Sequence, residues 1–302
     1  MGPPTILGRR KMPKRTVVLV DGQNFKKNLQ TFAFRTAPDQ RAFRLDEKHF
    51  DWGKFFRAMI AKFDAATGVE HQLLRVYWYA ADTITPFISE PRRAADIARD
   101  CRLRNPSLSP DDVMRLAETW YRRERDNFIR AREDVYEQLQ RRYDFLEFKF
   151  VGQYDVRPFV PYLIERDPSG RVTYLGTRQG EKGVDVGIAT DMIAKLPFYD
   201  VAILVSGDAD FIPAVKHVKD HLRWVYQFSV AKGVPPRINY LSPWLKSITD
   251  LFGFFDEREL LRDYLIRLDT TNRWTIKPDP YIPEAVMEVI DRRVAELEAQ
   301  RN

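Results

Sequence analysis

The sequence predicts an α/β protein with a mostly parallel sheet sandwiched by helices. Two apolar runs rich in β-branched residues, TVVLV at 16–20 and VAILV at 201–205, are typical of strands buried on both faces. Segments with apolar residues at helical spacing lie between such runs, as in 51–66. Strands that alternate with helices favour a parallel sheet covered on both sides.

The same patterns predict the individual elements. Asn24 is expected to cap a helix that follows the first strand, and Ser242 with Pro243 is expected to start another. The other expected strands lie at 72–80 and 224–230, and the other expected helices lie at 183–196, 210–222 and 281–300.

Three regions are expected along the chain. Residues 1–15 form a basic flexible arm, 16–250 form the α/β domain, and 251–302 form a C-terminal helical extension. A helical insertion at about 82–145 interrupts the domain, and it contains thirteen arginines, twelve acids and no lysine between Pro91 and Glu147. Within the insertion we expect helices at 91–104, 110–124 and 125–143, and after it a hairpin or edge excursion built from 145–151 and 171–175.

Composition limits the function classes. The 302 residues carry a net charge of +6 and a sequence pI of about 9.3, which favours an anionic partner such as nucleic acid. The single cysteine, Cys101, excludes an internal disulfide and a cysteine zinc site. Because no secretory signal or membrane-spanning run is visible, we expect a cytoplasmic protein.

Three aspartates are expected to meet at one edge of the sheet. Asp21 follows the first strand, Asp208 follows the strand at 201–205, and Asp185 lies in the first turn of a helix. Ligands of parallel sheets bind outside the carboxyl ends of the strands. Carboxylates gathered there repel one another unless a cation lies between them, and oxygen ligands select hard ions such as Mg²⁺ or Mn²⁺.

Each aspartate also has a simpler interpretation. Asp21 before Gly22 is compatible with a turn, Asp185 with the helix dipole, and Asp210 with a helix N-cap. These explanations are independent of one another, so a shared position at one edge would be a coincidence under them. No phosphate-cradling glycine motif follows a strand, which removes support for nucleotide binding of that kind.

Three segments in order, VVLVDGQNF, KGVDVGIATDMI and VAILVSGDADFIPAV, resemble the NYN domain, a branch of the PIN-like ribonuclease group. The resemblance covers about 16–30, 72–80 and 145–230, and within the branch the chain is most similar to the bacterial LabA-like proteins. It implies a PIN-like, Rossmann-like α/β sandwich and metal-dependent cleavage of RNA. No glutamate on an earlier helix matches the additional glutamate that many PIN domains carry.

The resemblance also implies roles for particular residues. Asp21, Asp185 and Asp208 correspond to the metal-holding acids, with Asp210 as a fourth; Asn24 and Ser206 would lie beside them. Arg178 and Lys182 precede the Asp185 helix and are expected either to meet substrate phosphate or to lie in a solvated loop.

The first functional hypothesis is therefore a ribonuclease that uses Mg²⁺ or Mn²⁺ to hydrolyse RNA phosphodiester bonds. Two alternatives are a non-catalytic RNA-binding or regulatory module whose acids are vestigial, and a structure-specific DNA nuclease. RNA is the expected partner, DNA is a second candidate, and the C-terminal helix is a candidate surface for homo-oligomer formation.

Overall fold

The computed structural model of the protein describes residues 12–101, 108–267 and 280–300. The strands are β1 Lys14–Asp21, β2 Ala33–Phe34, β3 Phe43–Arg44, β4 His71–Ala80, β5 Thr83–Ile84, β6 Leu146–Phe150, β7 Gln153–Arg166, β8 Val172–Lys182, β9 Val201–Val205, β10 Trp224–Lys232, β11 Ile238–Asn239 and β12 Leu251–Phe255. The helices are α1 Gly22–Leu29, α2 Trp52–Thr67, α3 Pro91–Asp100, α4 Pro110–Arg130, α5 Glu137–Arg142, α6 Val184–Ala194, α7 Ile212–Asp220, α8 Pro243–Lys246, α9 Glu257–Asp263 and α10 Glu284–Ala299.

A largely parallel sheet forms the centre of the fold, as the sequence predicts. Its strands run in the order β6, β4, β1, β9, β10, β12, all parallel, and the short β11 adds an antiparallel pairing to β10. The next strand of this sheet along the chain, β4, lies on one side of β1, whereas β9 lies on the other side of β1. The crevice between β1 and β9 is therefore the switch point at which ligands of open α/β sheets bind.

The central strands are buried on both faces. In β1, Val18 and Val20 pack into the core beneath α1, α2, α9 and α10, while Val17 and Leu19 pack into the core beneath α6 and α7. Alternate side chains of a strand point to opposite faces, so a continuous apolar run is required when both faces are covered.

A second lobe has its own apolar core. Strands β5, β7 and β8 form a separate three-stranded sheet. Helices α3 and α4 pack on this sheet, with Val113, Trp120, Val156, Phe159 and Tyr174 among the buried side chains. We call residues 83–101, 108–142 and 153–182 together the small lobe. The helical insertion is thus not a cap of helices alone, because the β7–β8 hairpin completes it.

Several sequence-based expectations in this region are wrong. Residues 110–142 form one continuous helical run, in which a π-helical segment at Ala131–Tyr136 joins α4 to α5, rather than two helices. Residues 146–150 belong to the central sheet and not to the hairpin. The expected helix at 91–104 ends at Asp100, and residues 102–107 lie outside the described residues.

The chain termini also differ from expectation. Residues 1–11 of the expected arm lie outside the described residues, while Lys14 and Arg15 already belong to β1. The expectation of a wholly helical extension is wrong for Leu251–Phe255, because β12 pairs with β10 and widens the central sheet. The apolar face of α10, including Ile290 and Leu297, is buried in the chain's own core.

Among the helices of the described residues, none combines the length and the apolar character needed to cross a membrane.

Candidate functional site

Asp21 lies at the carboxyl end of β1 and is 6% exposed. Its Oδ1 accepts a 3.0 Å hydrogen bond from the backbone N–H of Asn24, and its Oδ2 accepts a 2.9 Å bond from the hydroxyl of Ser206. Asp21 is therefore the N-cap of α1, a role that the sequence analysis gave to Asn24. The cap points this carboxylate into the switch-point crevice.

The end of β9 lies beside Asp21 because Val20 pairs with Val205 in the sheet. The side chain of Asn24 accepts a 3.1 Å hydrogen bond from the N–H of Gly207, which ties this end of β9 to α1. Asn24 and Ser206 thus both lie next to Asp21, where the resemblance places them.

The turn after β9 presents Asp208 and Asp210. The N–H of Asp208 donates to the Ser206 hydroxyl at 3.0 Å, and the Asp208 carboxylate accepts from the N–H of Asp210 at 2.9 Å. The capping residue of this turn is therefore Asp208, while Asp210 lies inside the turn and is exposed. The capping interpretation considered for Asp210 applies instead to Asp208.

Asp185 reaches the same crevice from the first turn of α6. The start of α6 is placed by a close backbone approach, since a Cβ on Gly152 would lie 2.2 Å from the carbonyl oxygen of Lys182. Gly152 also has φ +72°, a conformation that favours glycine. Both features allow the end of β8 to pass close to the turn between β6 and β7. The first turn of α6, with Asp185, is thereby placed beside the crevice.

Electrostatics show that these acids share one neighbourhood. Burial raises the pKa of Asp21 to about 6, two hydrogen bonds from Asn24 and Ser206 oppose the shift, and the charges of Asp185 and Asp208 add to it. Burial also raises the pKa of Asp185, together with the charges of Asp208 and Asp210. The three segments that the sequence analysis combined therefore face one another.

A fifth carboxylate, Glu181, joins them from the end of β8. Burial raises its pKa to about 7; the hydrogen bond from the N–H of Ala81 opposes this, and the charges of Asp21 and Asp185 reinforce it. Its Oε1 accepts that bond at 3.0 Å, while its Oε2 is buried without a hydrogen-bond partner among the described residues. We call Asp21, Glu181, Asp185, Asp208 and Asp210 the acidic cluster.

Glu181 is not among the residues predicted from the sequence, because the segment around it was expected to be a loop. Residues 172–182 instead form β8, which pairs with β7 and turns one edge towards α1. The only local signal is the position of Glu181 four residues before Asp185.

Lys27 is a basic side chain close to the cluster that the sequence analysis also missed. Its charge lowers the pKa of both Asp185 and Glu181, and its Nζ donates a 3.1 Å hydrogen bond to the Gln23 side chain. Lys27 lies on α1 four residues after Gln23, so the two side chains share one face of the helix. The Gln23 side chain also accepts a 3.3 Å hydrogen bond from the N–H of Glu181, which places this face beside the end of β8.

The two expected substrate-binding residues lie in different surroundings. Lys182 is exposed at the end of β8. Arg178 lies on β8 rather than in a loop, and its guanidinium donates two hydrogen bonds, of 2.7 and 2.6 Å, to the carboxylate of Glu124. Because Glu124 is buried, Arg178 serves first to neutralise that charge within the small lobe.

The donor set of the cluster fits a hard divalent cation in its chemistry. All its donors are carboxylate oxygens, which Mg²⁺ and Mn²⁺ prefer, and the partnerless Oε2 of Glu181 leaves one buried acceptor available. In the described residues, however, no three His, Cys, Asp or Glu side chains stand in a ready-made metal-binding group. The charges of the cluster raise the pKa of Asp21, Glu181 and Asp185, but the carboxylates do not converge on one point.

Comparison with known proteins supports the resemblance seen in the sequence. The family model of the NYN domain matches residues 133–240, a span that includes Glu181, Asp185, Asp208 and Asp210. The predicted resemblance to the NYN domain is thereby confirmed, while the LabA-like branch stays a prediction. Domains of this family are generally nucleases. Asp21 and Asn24 precede the matched span, and their place in the site rests on the fold.

Among solved structures, the chain is similar to that of a protein of unknown function from Vibrio parahaemolyticus. It is 19% identical, covers 84% of this chain and 97% of its own, and gives a TM-score of 0.37. No curated protein matches the chain.

Proposed function

We propose that this chain, whose residues 133–240 match the NYN domain, is a metal-dependent ribonuclease that hydrolyses RNA phosphodiester bonds at the acidic cluster. One observation carries the proposal. Carboxylates from three distant segments, at 21, 181–185 and 208–210, lie so close at the switch point of the sheet that their charges help to raise the pKa of Asp21, Glu181 and Asp185. Protein stability alone gives no reason to gather like charges in this way.

Asp21, Asp185 and Asp208 would hold Mg²⁺ or Mn²⁺, with Glu181 and Asp210 beside them. A bound ion would lower the pKa of water and would neutralise charge that develops on the phosphoryl oxygens. Asn24 and Ser206 keep the carboxyl ends of β1 and β9 in register through their bonds to Gly207 and Asp21. The protein thereby fixes the orientation of the Asp21 carboxylate before substrate arrives.

The chain also supplies groups that bind the substrate phosphate. The Nζ of Lys27 lies near Glu181 and Asp185, where a scissile phosphate must come to react. The free N–H groups in the first turn of α6 carry a positive partial charge on the same side. Lys182 is exposed at the start of this turn and is positioned for a flanking phosphate.

RNA is proposed as the substrate from the family resemblance and from the positive net charge of the chain. Structure-specific DNA cleavage would use the same metal chemistry, so DNA belongs in the test as a competing substrate.

The test is a cleavage assay on purified protein. Labelled single-stranded RNA, hairpin RNA and a DNA flap are incubated with Mg²⁺, Mn²⁺ or EDTA. We expect RNA cleavage that requires a divalent ion and falls at least about 100-fold in Asp208→Asn, since a catalytic contact of this kind contributes several kcal/mol. The matched control is Asp220→Asn, an exposed acid on α7 outside the cluster.

Three outcomes contradict the proposal in different ways. Equal cleavage rates for Asp208→Asn and the wild type would show that the acidic cluster is not the catalytic site. Salt-dependent RNA binding without turnover would support the regulatory module instead. Faster cleavage of the DNA flap would reassign the substrate.

A further inference from the structure

A pocket of about 460 Å³ lies between α1, the helical run 110–142 and strand β8. Its volume is in the range of about 300–1,000 Å³ that small ligands occupy in proteins. The lining includes Gly22 and Gln23, directly after Asp21, and also Glu181. The pocket therefore opens beside the acidic cluster, and its far wall belongs to the small lobe.

Aromatic side chains form part of that wall. Phe128 and Tyr154 lie nearly parallel, with an angle of 15° between rings and 6.2 Å between centroids. Tyr136 and Phe150 line the pocket on the side of the central sheet, and their ring centroids are 6.4 Å apart. Aromatic rings that line a binding groove are surfaces on which nucleobases stack.

Basic side chains surround the same pocket, and most of them are held in place. The guanidinium of Arg132 lies 4.1 Å from the centre of the Phe150 ring and pairs with Asp82 at 3.1 Å. Lys26 pairs with the buried Glu47 at 2.8 Å. Lys27 and Arg178 complete the set of four basic groups, and Arg178 pairs with Glu124. Lys27 differs from the other three, because its Nζ donates to the neutral side chain of Gln23 and no carboxylate pairs with it among the described residues.

The combination of flat rings and fixed cations suits one class of ligand. A purely apolar ligand would give Lys27 no anionic partner, and a bare phosphate would leave the rings unused. A nucleotide of a single strand satisfies both, because the base stacks and the flanking phosphates meet the cations. A base inside a duplex is stacked on its neighbours and cannot enter such a pocket without being extruded.

We propose that this pocket binds one unpaired nucleobase of the substrate strand, adjacent to the phosphate that lies at the acidic cluster. The inference rests on the proposed function for the identity of the strand as RNA. It assigns a role to the helical insertion: the helical run 110–142 supplies the wall against which the base packs. It also predicts that the enzyme acts on single-stranded segments rather than on continuous duplex.

Binding is measured apart from cleavage, in EDTA, by fluorescence anisotropy with two labelled probes. One is a ten-nucleotide oligouridylate, and the other is an abasic ribose-phosphate chain of the same length. Phe128→Ala is expected to weaken binding of the oligouridylate about tenfold, the usual range for loss of one stacking ring, and to change binding of the abasic chain less than about twofold. Ala131→Leu, which narrows the pocket from the same helical run without adding or removing a ring, is expected to give the same pattern.

The matched control is Ile129→Ala. Ile129 is the next residue on the same helix, is 39% exposed and does not line the pocket, so its loss is expected to leave both probes unaffected. Thermal unfolding of each variant checks that the small lobe remains folded.

The other results overturn the proposal. Equal loss of both probes in Phe128→Ala would mean that the pocket holds only phosphate. An unchanged oligouridylate affinity, or no oligouridylate binding by the wild type, would mean that no base enters. Failure of the proposed nuclease function would give a different result. In that case binding of the oligouridylate would still depend on its bases in EDTA, but no metal ion would produce cleavage.

Discussion

The hydroxyl of Ser206 donates a hydrogen bond of 2.9 Å to Oδ2 of Asp21, across 185 positions of sequence. This bond joins the carboxyl ends of β1 and β9, and the same hydroxyl accepts from the N–H of Asp208. A donor aimed at a buried carboxylate stabilises its charged form. The fold thus keeps Asp21 able to ionise although burial and two neighbouring acids oppose its charge.

Asp21→Asn is expected to raise the stability of the metal-free protein and to abolish its activity. Since its pKa is raised from 3.8 to about 6, the ionised form costs the metal-free protein up to about 3 kcal/mol at pH 7.5. The amide keeps an acceptor for the N–H of Asn24 and removes that charge. Chemical unfolding in EDTA should therefore show a more stable variant, by about 1–3 kcal/mol, while RNA cleavage is lost.

Asp220→Asn serves as the control for Asp21→Asn and should leave both quantities near wild type. A metal-free Asp21→Asn protein that is less stable than wild type would contradict the account of charge crowding in the cluster.

Lys27→Gln is expected to weaken RNA binding through the loss of one phosphate contact. The slope of log affinity against log salt should become shallower by about one unit, and affinity at low salt should fall about tenfold. The control is Lys54→Gln on α2, which is also exposed but distant from the crevice. An equal change in both variants would show that Lys27 contributes only to the general charge of the protein.

Arg178→Ala is expected to act on the stability of the small lobe. The change leaves the carboxylate of Glu124, whose side chain is 8% exposed, without its partner. Loss of one member of a buried pair costs about 3–5 kcal/mol, and the 58% exposure of Arg178 reduces our expectation to about 2 kcal/mol. Adding Glu124→Gln should recover part of this loss in urea unfolding.

If Arg178→Ala leaves stability unchanged and weakens only RNA binding, the substrate role that the sequence suggested for Arg178 would take precedence over the structural one.

His49 is expected to make stability depend on pH. Burial is the main cause that lowers its pKa from 6.5 to about 4, and its Nδ1 accepts a 2.9 Å hydrogen bond from the N–H of Asp46. The neutral His49 makes its full contribution to the free energy of unfolding above pH 6.5, and this contribution is lost as the pH falls towards 4. The reason is that His49 of the unfolded chain binds a proton in this range, whereas the buried His49 of the folded chain does not. The loss amounts to about 3 kcal/mol over this window.

His49→Gln keeps an acceptor for the Asp46 N–H without a titrating group, so its unfolding free energy should change less between pH 6.5 and 4. His217→Gln, at an exposed position on α7, is the control. Parallel pH profiles for wild type and His49→Gln would refute the assignment.

The sequence alone determined the central sheet and much of the candidate site. Burial on both faces imposes a continuous apolar run on each central strand, so TVVLV and VAILV were recognisable, and the acids after them were bound to lie at one edge of a parallel sheet. Only the tertiary structure decided that Glu181 and Lys27 join this edge, that Arg178 pairs with Glu124 at a separation of 54 residues, and that the hairpin 153–182 completes a second lobe. The periodicity of apolar residues indicates which side of a helix or strand is buried. These contacts depend instead on how elements far apart in the sequence pack against one another, and no local sequence pattern specifies that packing.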